Sequence, residues 1–312
     1  MRFAVISDVH GNLPALDTVL EDAEKNNVDG FIFAGDYCLS NPFPDECIQR
    51  IRAIENKLII RGNEERYLEN LIGKDQSRWN DGQMQISYYC YRAVDPENLS
   101  YILSLPGTLE TPVNGVALHM AHSSVEYIAD SEHSVWSSSL ISEKYLRKEI
   151  TVDSLRAEMK RYYDTDEMFR QRFSKLEKGI YIFGHSHVQW SCASEDGKTV
   201  LINPGSCGLP LDGITGTVPY TLLDISDNGD ISVEEKRLPF DMEAYITTLK
   251  QSEQFKEANV WSNVIIRELR TAREHMFFFL GAVNEYAEKI NDSRRPFAVD
   301  TWGKAYQLWA ND

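Results

Sequence analysis

The sequence predicts an α/β fold with two layers of β-sheet, and three observations support this prediction. Apolar strands alternate with amphipathic helices over residues 2–60, which is the pattern of β-α-β units. Strand signals return from residue 180 after a long helical stretch, as expected for a second sheet. Residues from 241 onward are helical by periodicity. A chain of 312 residues is long enough for one large domain with additions, or for two domains.

The N-terminal elements follow from apolar periodicity. Arg2 to Ile6 predicts a buried strand, apolar residues at helical spacing follow it, and Phe31 to Ala34 predicts the next strand. A second helix then leads to a strand at Leu58 to Ile60. Short crossovers of this kind favour parallel pairing of the three strands. After Gly62 the pattern changes to helix and loop.

The middle of the chain combines further strands with a helical insertion. A turn at Asn114-Gly115 introduces an apolar strand at residues 116–121, and residues 123–178 are polar and helical, which predicts an insertion or lid. Further strands are predicted at residues 180–183, 200–202, 220–225 and 231–235. We therefore expect a first domain at residues 1–240 and a helical C-terminal extension, rich in aromatic residues, at residues 241–312.

Composition and charge restrict the class of protein. Hydrophobic residues make up 42% of the chain and charged residues 26%, which is typical of a soluble globular protein. No apolar run approaches a membrane span and the first residues predict a strand instead of a secretion signal, so we expect a cytoplasmic protein without a membrane partner. The formal charge of −16 disfavours long nucleic acids as partners, whereas small anionic substrates remain allowed. Five scattered cysteines predict reduced thiols.

Five short motifs, each placed directly after a β-like apolar run, carry the candidate chemistry. In chain order they are Asp8-Val9-His10, Gly35-Asp36, Gly62-Asn63, His122 and Gly184-His185-Ser186-His187. Each motif alone more often marks a turn or the end of a strand. Strand ends that meet at one rim of a sheet would bring all five together. Carboxylate, imidazole and amide donors in one place then predict a site for two divalent metal ions.

Two histidines compete for the fourth motif. His119 falls inside the predicted strand, whereas His122 falls at its end and precedes two serines. The other candidate ligands also follow the ends of their strands, so we assign His122 to the site. His133 and His275 have no comparable context and stay outside it.

This order of motifs, followed by Asn203-Pro204-Gly205-Ser206, resembles the calcineurin-like metallophosphoesterase superfamily, and its bacterial single-domain branch in particular. The resemblance extends from residue 1 to about residue 240, and it implies a four-layer α/β/β/α sandwich. It also implies two sets of metal ligands that share Asp36. The sets are Asp8, His10, Asp36 and His187 for one ion, and Asp36, Asn63, His122 and His185 for the other. Mn²⁺, Fe²⁺, Zn²⁺ and Ni²⁺ all accept mixed nitrogen and oxygen donors, so the choice of metal stays open.

The resemblance further implies metal-dependent hydrolysis of phosphoesters, in which a metal-activated hydroxide attacks phosphorus. Asp36, Asn63 and His122 would belong to the catalytic centre. We expect the substrate to be a small phosphodiester, a nucleotide or a dinucleoside polyphosphate. Two alternatives are a nuclease of the same fold, which the acidic chain disfavours, and a non-catalytic metal-binding scaffold.

Residues beside the ligands have predicted roles of their own. Many relatives carry a histidine after Gly-Asn that resembles a general acid; here that position is Glu64, which we count as catalytic. Glu65 either orients a ligand histidine or serves as a carboxylate at a helix N-terminus. Asn12, Arg61 and Asn63 are candidate substrate contacts. Asn12 could instead cap the first helix, and Arg61 could face solvent or pair with Glu64 or Glu65.

The contacts of two helical segments stay open. Aromatic and arginine residues within residues 123–178, such as Tyr163 and Arg156, either pack in the core or contact a substrate. The C-terminal helices carry an apolar face that must be buried against the catalytic domain or another subunit. That face comprises Val260, Val264, Ile265 and Leu269. A homo-oligomer formed through the C-terminal helices is therefore one expectation.

Overall fold

The structure is a computed structural model that describes residues 1–128 and 150–311, and these residues form an α/β fold with two mixed five-stranded sheets. The strands of the first sheet are β1 (Arg2–Ile6), β2 (Gly30–Phe33), β3 (Lys57–Ile59), β9 (Thr217–Ile225) and β10 (Ile231–Pro239). Those of the second sheet are β4 (Thr108–Val113), β5 (Val116–Ala121), β6 (Gly179–Ile182), β7 (Gln189–Ala193) and β8 (Thr199–Pro204). The predicted α/β class is confirmed.

Helices account for most of the remaining described residues. In chain order the twelve described α-helices are α1 (Leu13–Lys25), α2 (Pro44–Arg52), α3 (Asn63–Glu69), α4 (Gln85–Ala93), α5 (Pro96–Ser104), α6 (Val152–Thr165), α7 (Glu167–Phe173), α8 (Met242–Gln251), α9 (Glu253–Glu257), α10 (Asn259–Thr271), α11 (Met276–Lys289) and α12 (Val299–Trp309). Over the part of the chain that the structure describes, every helix is too short or too polar to cross a membrane.

Each sheet contains three parallel strands. The first sheet has the order β10-β9-β1-β2-β3, in which β1, β2 and β3 are parallel as predicted. The second has the order β4-β5-β6-β8-β7, in which β5, β6 and β8 are parallel. Antiparallel strands complete both sheets. The carboxyl ends of parallel strands lie at one rim of a sheet, which is where the predicted motifs follow β1, β2, β3, β5 and β6.

Side-chain alternation along β1 explains why this strand is apolar on both faces. Phe3 and Val5 join an apolar cluster with residues of the second sheet such as Ile180. Ala4 and Ile6 join the cluster formed with α1 and α2 on the opposite face. A third cluster covers the outer face of the second sheet with α6 and α7. Apolar packing therefore continues from helices, through both sheets, to a second group of helices.

Two edge strands of the second sheet are not predicted by the sequence patterns. β4 alternates between exposed and partly buried positions and contains Pro112, and β7 follows the histidine motif without an apolar run. Each pairs on one side only, with β5 or β8, so each needs fewer apolar residues than a central strand does. The other predicted strands match the observed ones to within a few residues.

The predicted helical insertion at residues 123–178 is described in part. A 3₁₀ turn at Ser124–Glu126 and the helices α6 and α7 agree with the helical prediction. Residues 129–149 lie outside the described residues. Tyr163 packs against the second sheet, whereas Arg156 pairs with Glu235 on β10 of the first sheet. The role of this segment as a lid stays a prediction.

The C-terminal helices pack against the loop that follows the second motif. Gln254 of α9 donates a hydrogen bond to the Ser40 carbonyl at 2.8 Å, and the Tyr245 hydroxyl of α8 donates to Asn41 Oδ1 at 3.0 Å. The apolar face that suggested a homo-oligomer is buried within this chain, in two clusters formed by the C-terminal helices. It comprises Val260, Val264, Ile265 and Leu269. The homo-oligomer and the domain boundary at residue 240 both stay predictions.

Candidate metal centre

Backbone hydrogen bonds hold the loops of the rim against one another. The Asp8 N–H donates to the Gly35 carbonyl and the His10 N–H donates to the Asp36 carbonyl, both at 3.0 Å. The loops after β5 and β6 are joined by a similar bond of 2.9 Å. Strand ends that are distant in sequence are thereby held side by side, which brings the predicted motifs together.

The backbone of this rim is strained at the candidate ligands. Asp8, His10, Asp36, His185 and His187 all have positive φ angles, between 50° and 67°. A residue other than glycine in the left-handed region costs about 1–3 kcal/mol, and it persists only where the surrounding structure enforces it. Strain at five chemically related positions in one rim indicates a functional site.

Two glycines allow the loops to approach this closely. A Cβ atom on Gly62 would overlap Asp36 Oδ1, so any side chain there would displace the candidate bridging carboxylate. Gly35 has a φ of +103°, and a Cβ atom there would lie 2.6 Å from His122 Nδ1 and 2.8 Å from the Gly62 backbone. The glycines of the second and third motifs are therefore required by the packing of the ligands.

The first group of donors consists of Asp8, His10 and His187. The Nε2 atoms of His10 and His187 lie 3.0 Å apart, and they lie 3.8 Å and 3.5 Å from Asp8 Oδ1. His187 Nδ1 faces the Leu209 carbonyl at 2.8 Å, so the proton of a neutral ring lies there and the Nε2 lone pair faces the other donors. This geometry suits a cation that takes two imidazole nitrogens and a carboxylate oxygen.

The second group consists of Asp36, His122 and His185, with Asn63 beside them. His122 Nε2 lies 3.1 Å from Asp36 Oδ2, and the rings of His122 and His185 are 5.2 Å apart between centroids. His122 Nδ1 faces the Ala34 carbonyl at 2.7 Å, so its Nε2 faces the site. Asn63 is the first residue of α3, directly after Gly62.

A buried atom without a partner and the chemistry of the donors show whether the site fits the metals that the motifs suggest. Within the described residues, the buried atom Asn63 Oδ1 has no hydrogen-bond partner, and such atoms are rare in proteins. The donor atoms of each of the two groups lie within 4.8 Å of one another. Buried carboxylates, imidazoles and an amide oxygen are ligands of divalent cations. The residues present fit metal ions.

Burial and mutual charge shift the protonation of these groups when no cation is bound. Burial, together with the charge of Asp36, raises the pKa of Asp8 to about 6. Burial alone would lower the pKa of His122, but the nearby charges of Asp36 and Asp8 outweigh it and raise that pKa to about 10. Burial and the neighbouring His10 lower the pKa of His187 well below its usual value. Opposite shifts in adjacent groups are typical of functional sites.

Glu64 and Glu65 occupy different positions at the start of α3. Glu64 Oε2 lies 2.8 Å from His10 Nδ1. Glu65 is fully buried and accepts hydrogen bonds from the backbone N–H groups of Asp36, Tyr37 and Gly62, at 3.2, 2.8 and 2.7 Å. Of the two roles considered for Glu65, the structure supports that of a carboxylate at the helix N-terminus. It also joins the loops of the second and third motifs.

The turn at residues 203–206 supports the histidine motif and the Asp8 loop. Asn203 Nδ2 donates to the Gly184 carbonyl at 2.8 Å, and the Ser206 hydroxyl donates to the Asp8 carbonyl at 2.8 Å. The His185 N–H donates to both carboxylate oxygens of Asp8, at 3.1 Å each. These bonds fix the positions of His185 and Asp8 relative to each other.

Two predicted substrate contacts, Asn12 and Arg61, have hydrogen-bond partners within the chain. Asn12 is 1% exposed, its Oδ1 caps α1 by accepting from the Ala15 N–H, and its Nδ2 donates to the Gly208 carbonyl. Asn12 is therefore a helix cap, as its position before α1 allows, and its role as a substrate contact stays a prediction. Arg61 Nη1 instead donates to Glu69 and to the Leu103 carbonyl, so its side chain is bound to α3 and α5.

The choice between the two candidate histidines agrees with their positions. His119 stacks on Tyr181 with 4.6 Å between ring centroids, and its Nδ1 lies 3.2 Å from Glu110. It belongs to neither donor group in the described residues. His122 belongs to the second group.

One residue beside the site escapes the sequence reasoning. Tyr67 lies four residues after Asn63 on α3 and is 49% exposed. Burial raises the pKa of its hydroxyl, and a hydrogen bond from the Asn63 side chain opposes that shift. Residues four apart on a helix are neighbours on its surface, so the spacing to Asn63 is a signal that could have identified Tyr67.

Comparison with known proteins agrees with this geometry. The family model of a calcineurin-like phosphoesterase superfamily domain matches residues 1–228. Among curated proteins, the chain is similar to the uncharacterized protein MJ0912 of Methanocaldococcus jannaschii, with 27% identity over 255 residues, 77% of this chain and 88% of that protein.

Two solved structures share the fold. A metallophosphoesterase from Sphaerobacter thermophilus is 20% identical with a TM-score of 0.57, and the match covers 87% of this chain and 100% of that one. The hypothetical protein PH1004 from Pyrococcus horikoshii OT3 is 15% identical with a TM-score of 0.58, and the match covers 88% of this chain and 99% of that one. At these identities the likeness supports the fold alone.

Proposed function

The chain belongs to the calcineurin-like phosphoesterase superfamily, and we propose that it hydrolyses small phosphoesters with two divalent metal ions. Membership supports metal-dependent phosphoester hydrolysis in general terms. The finer proposal is that Asp8, His10, Asp36 and His187 hold one ion, and that Asp36, Asn63, His122 and His185 hold the other. The favoured substrates are a phosphodiester, a nucleotide or a dinucleoside polyphosphate.

This proposal rests on one observation: both donor groups lie next to Asp36. Asp36 Oδ2 faces His122 of the second group, while His10 of the first group has a ligand atom within 4.8 Å of an Asp36 oxygen. Asp36 is 2% exposed, so its carboxylate is available to buried partners only. One carboxylate between two sets of imidazoles is what a shared ligand requires.

The residues of the chain would bind the metal ions and orient the substrate, and the metal ions would supply the reactivity. Divalent ions at such a site lower the pKa of a coordinated water and neutralise the charge of the phosphate oxygens. Asp8 and the Nε2 atoms of His10 and His187 form one wall of the site. His185, Asn63 and Glu64 are less buried than Asp8 and Asp36, so the substrate would enter on that side.

The identity of residue 64 predicts a preference among leaving groups. Glu64 stands where many relatives carry a candidate acid, and its side chain contacts His10 at 2.8 Å. Leaving groups that depart as stable anions, such as aryl alcohols or nucleotide phosphates, should therefore react faster than alkyl alcohols. Equal rates for aryl and alkyl esters would contradict this preference.

A metal titration combined with an assay tests the proposed function. The chain is stripped of metal with a chelator, titrated with Mn²⁺, and assayed with bis(para-nitrophenyl) phosphate, nucleotides and dinucleoside polyphosphates. We expect two ions per chain and hydrolysis that depends on them. His122→Asn should abolish both the second ion and turnover, whereas the control variant His119→Asn should retain both.

Two other results would point to the alternative functions. Stoichiometric metal without hydrolysis, across several divalent ions, would favour a metal-binding scaffold. Faster turnover of long nucleic acids than of small substrates would favour a nuclease, against the expectation from the net charge of −16.

A further inference from the structure

We infer that Glu64 is a positioning residue that fixes the orientation of His10 toward the first metal ion. The inference rests on the proposed function and deepens it, because it assigns the residue that stands where many relatives carry a candidate acid. It is drawn from the hydrogen bonds of the three site histidines and from the way α3 begins.

The three histidines with defined Nδ1 partners share one arrangement. His122 Nδ1 faces the Ala34 carbonyl at 2.7 Å, and His187 Nδ1 faces the Leu209 carbonyl at 2.8 Å. In both rings the Nε2 atom faces the candidate metal position. A neutral imidazole carries one proton, so an acceptor at Nδ1 places the proton there and leaves the Nε2 lone pair for a cation.

His10 follows the same arrangement with a different partner. Its Nδ1 atom lies 2.8 Å from Glu64 Oε2, and its Nε2 atom lies 3.0 Å from His187 Nε2. The acceptor is here a side-chain carboxylate in place of a backbone carbonyl. A carboxylate partner fixes the ring and also makes the other nitrogen a stronger donor to a metal.

The start of α3 holds Glu64 in this position. The Glu64 N–H donates to Asp36 Oδ1 at 2.9 Å, while its side chain reaches His10. The Glu64 side chain is 14% exposed. One residue therefore contacts the candidate bridging carboxylate through its backbone and a ligand of the first metal through its side chain. A carboxylate held in this way orients His10.

Two substitutions of Glu64 test whether this residue orients His10. Glu64→Gln keeps an oxygen acceptor for His10 Nδ1, whereas Glu64→Ala removes it. Calorimetric titration with Mn²⁺ should show a loss of affinity of about 10–100-fold at one of the two sites for Glu64→Ala, as for other residues that support a metal ligand. Glu64→Gln should lose less than about 10-fold. Glu69→Gln, on the same helix and 51% exposed, is the matched control and should bind like the wild type.

A second readout follows the ring itself. In the protein loaded with Zn²⁺, which is diamagnetic, the Nδ1 proton of His10 should give a nitrogen-coupled NMR signal that exchanges slowly with water. Glu64→Ala should broaden that signal by exchange while the signals of His122 and His187 persist. Far-UV circular dichroism controls for folding.

The outcomes distinguish this inference from the proposed function. Wild-type protein that binds no Mn²⁺ would overturn the proposed function. Normal affinity and an unchanged His10 signal in Glu64→Ala would overturn the inference alone. Loss of one whole ion in both Glu64 variants would also overturn it, because Glu64 would then be a direct ligand.

Discussion

The rim that carries Asp8 and Asp36 and the C-terminal helices from Met242 to Trp309 are built on different physical principles. At the rim, the buried residues Asp8, His10 and Asp36 all have left-handed backbone. The C-terminal helices are held by aromatic packing, in which Trp302 stacks on Trp261 at 5.4 Å and meets the Phe279 ring edge-on at 4.7 Å. Backbone strain in this chain is therefore found at the candidate site, whereas the C-terminal helices contribute stabilising aromatic packing.

Because of this difference, we expect substitutions in the two regions to have different effects. A substitution at the rim should change chemistry more than stability, because its side chains are arranged for a ligand and several are strained. A substitution among the aromatic residues should change stability more than chemistry. The following predictions test that separation, from the largest expected effect to the smallest.

Trp302→Ala should give the largest loss of stability. Trp302 is 1% exposed and its ring is enclosed by other aromatic residues, so its removal should lower the free energy of unfolding by about 3–5 kcal/mol. Urea denaturation measures the change. Leu308→Ala, on the same helix but 49% exposed, should stay within about 0.5 kcal/mol. Equal losses in the two variants would contradict an enclosed aromatic core.

His187→Asn should show the opposite pattern. Supporting residues of a metal site typically contribute 10–100-fold, so the loss of a ligand should reduce metal-dependent turnover by more than about 100-fold. The unfolding free energy, measured in chelator, should change by less than about 1 kcal/mol. The substitution removes the hydrogen bond to the Leu209 carbonyl, but asparagine adopts the positive φ of this position more easily than histidine does, and this gain offsets the loss. Parallel activity and denaturation measurements check both. A large loss of stability would remove the contrast between the two regions.

Acid should weaken the C-terminal helices through His275. Burial, with the charges of Arg267 and Arg273, lowers the pKa of His275 to about 4, below its value in an unfolded chain. The stabilisation is therefore present above about pH 6.5 and is lost as the pH falls toward 4, by roughly 2–3 kcal/mol. Denaturation series at several pH values measure the loss. His275→Gln should flatten this dependence, and an unchanged slope would contradict it.

Tyr245→Phe should have the smallest effect of the four. The substitution removes the hydrogen bond from the Tyr245 hydroxyl to Asn41 Oδ1, and both residues are buried. We expect a loss of about 1–2 kcal/mol, since Asn41 Oδ1 is left without that donor. Tyr286→Phe is the control, because the Tyr286 hydroxyl makes no hydrogen bond within residues 1–128 and 150–311. Similar stabilities for the two variants would show that this contact does not hold α8 in place.

Sequence patterns predict the elements that depend on short stretches of chain. The strand at Arg2 to Ile6 is predicted because apolar residues face both a helix layer and the second sheet. The site histidine His122 is predicted over His119 because it follows the end of β5. Both inferences use local pattern and strand position alone.

Features that depend on distant contacts are not predicted. Glu64 meets His10 across 54 positions, and Arg61 turns to Glu69 and the Leu103 carbonyl, so neither role can be read from spacing. The edge strand β7 lacks an apolar run because one of its sides remains unpaired. Sequence patterns therefore predict which residues lie at the candidate site, but they do not predict the hydrogen bonds that the side chains make there.

The placement of β1 in the middle of the first sheet has a consequence for biosynthesis. One neighbour of β1 is β2, which ends at Phe33, but its other neighbour is β9, which ends at Ile225. His10 likewise meets His187 only after 177 further residues have been added. A nascent chain on the ribosome therefore cannot complete the first donor group before His187 has been synthesised.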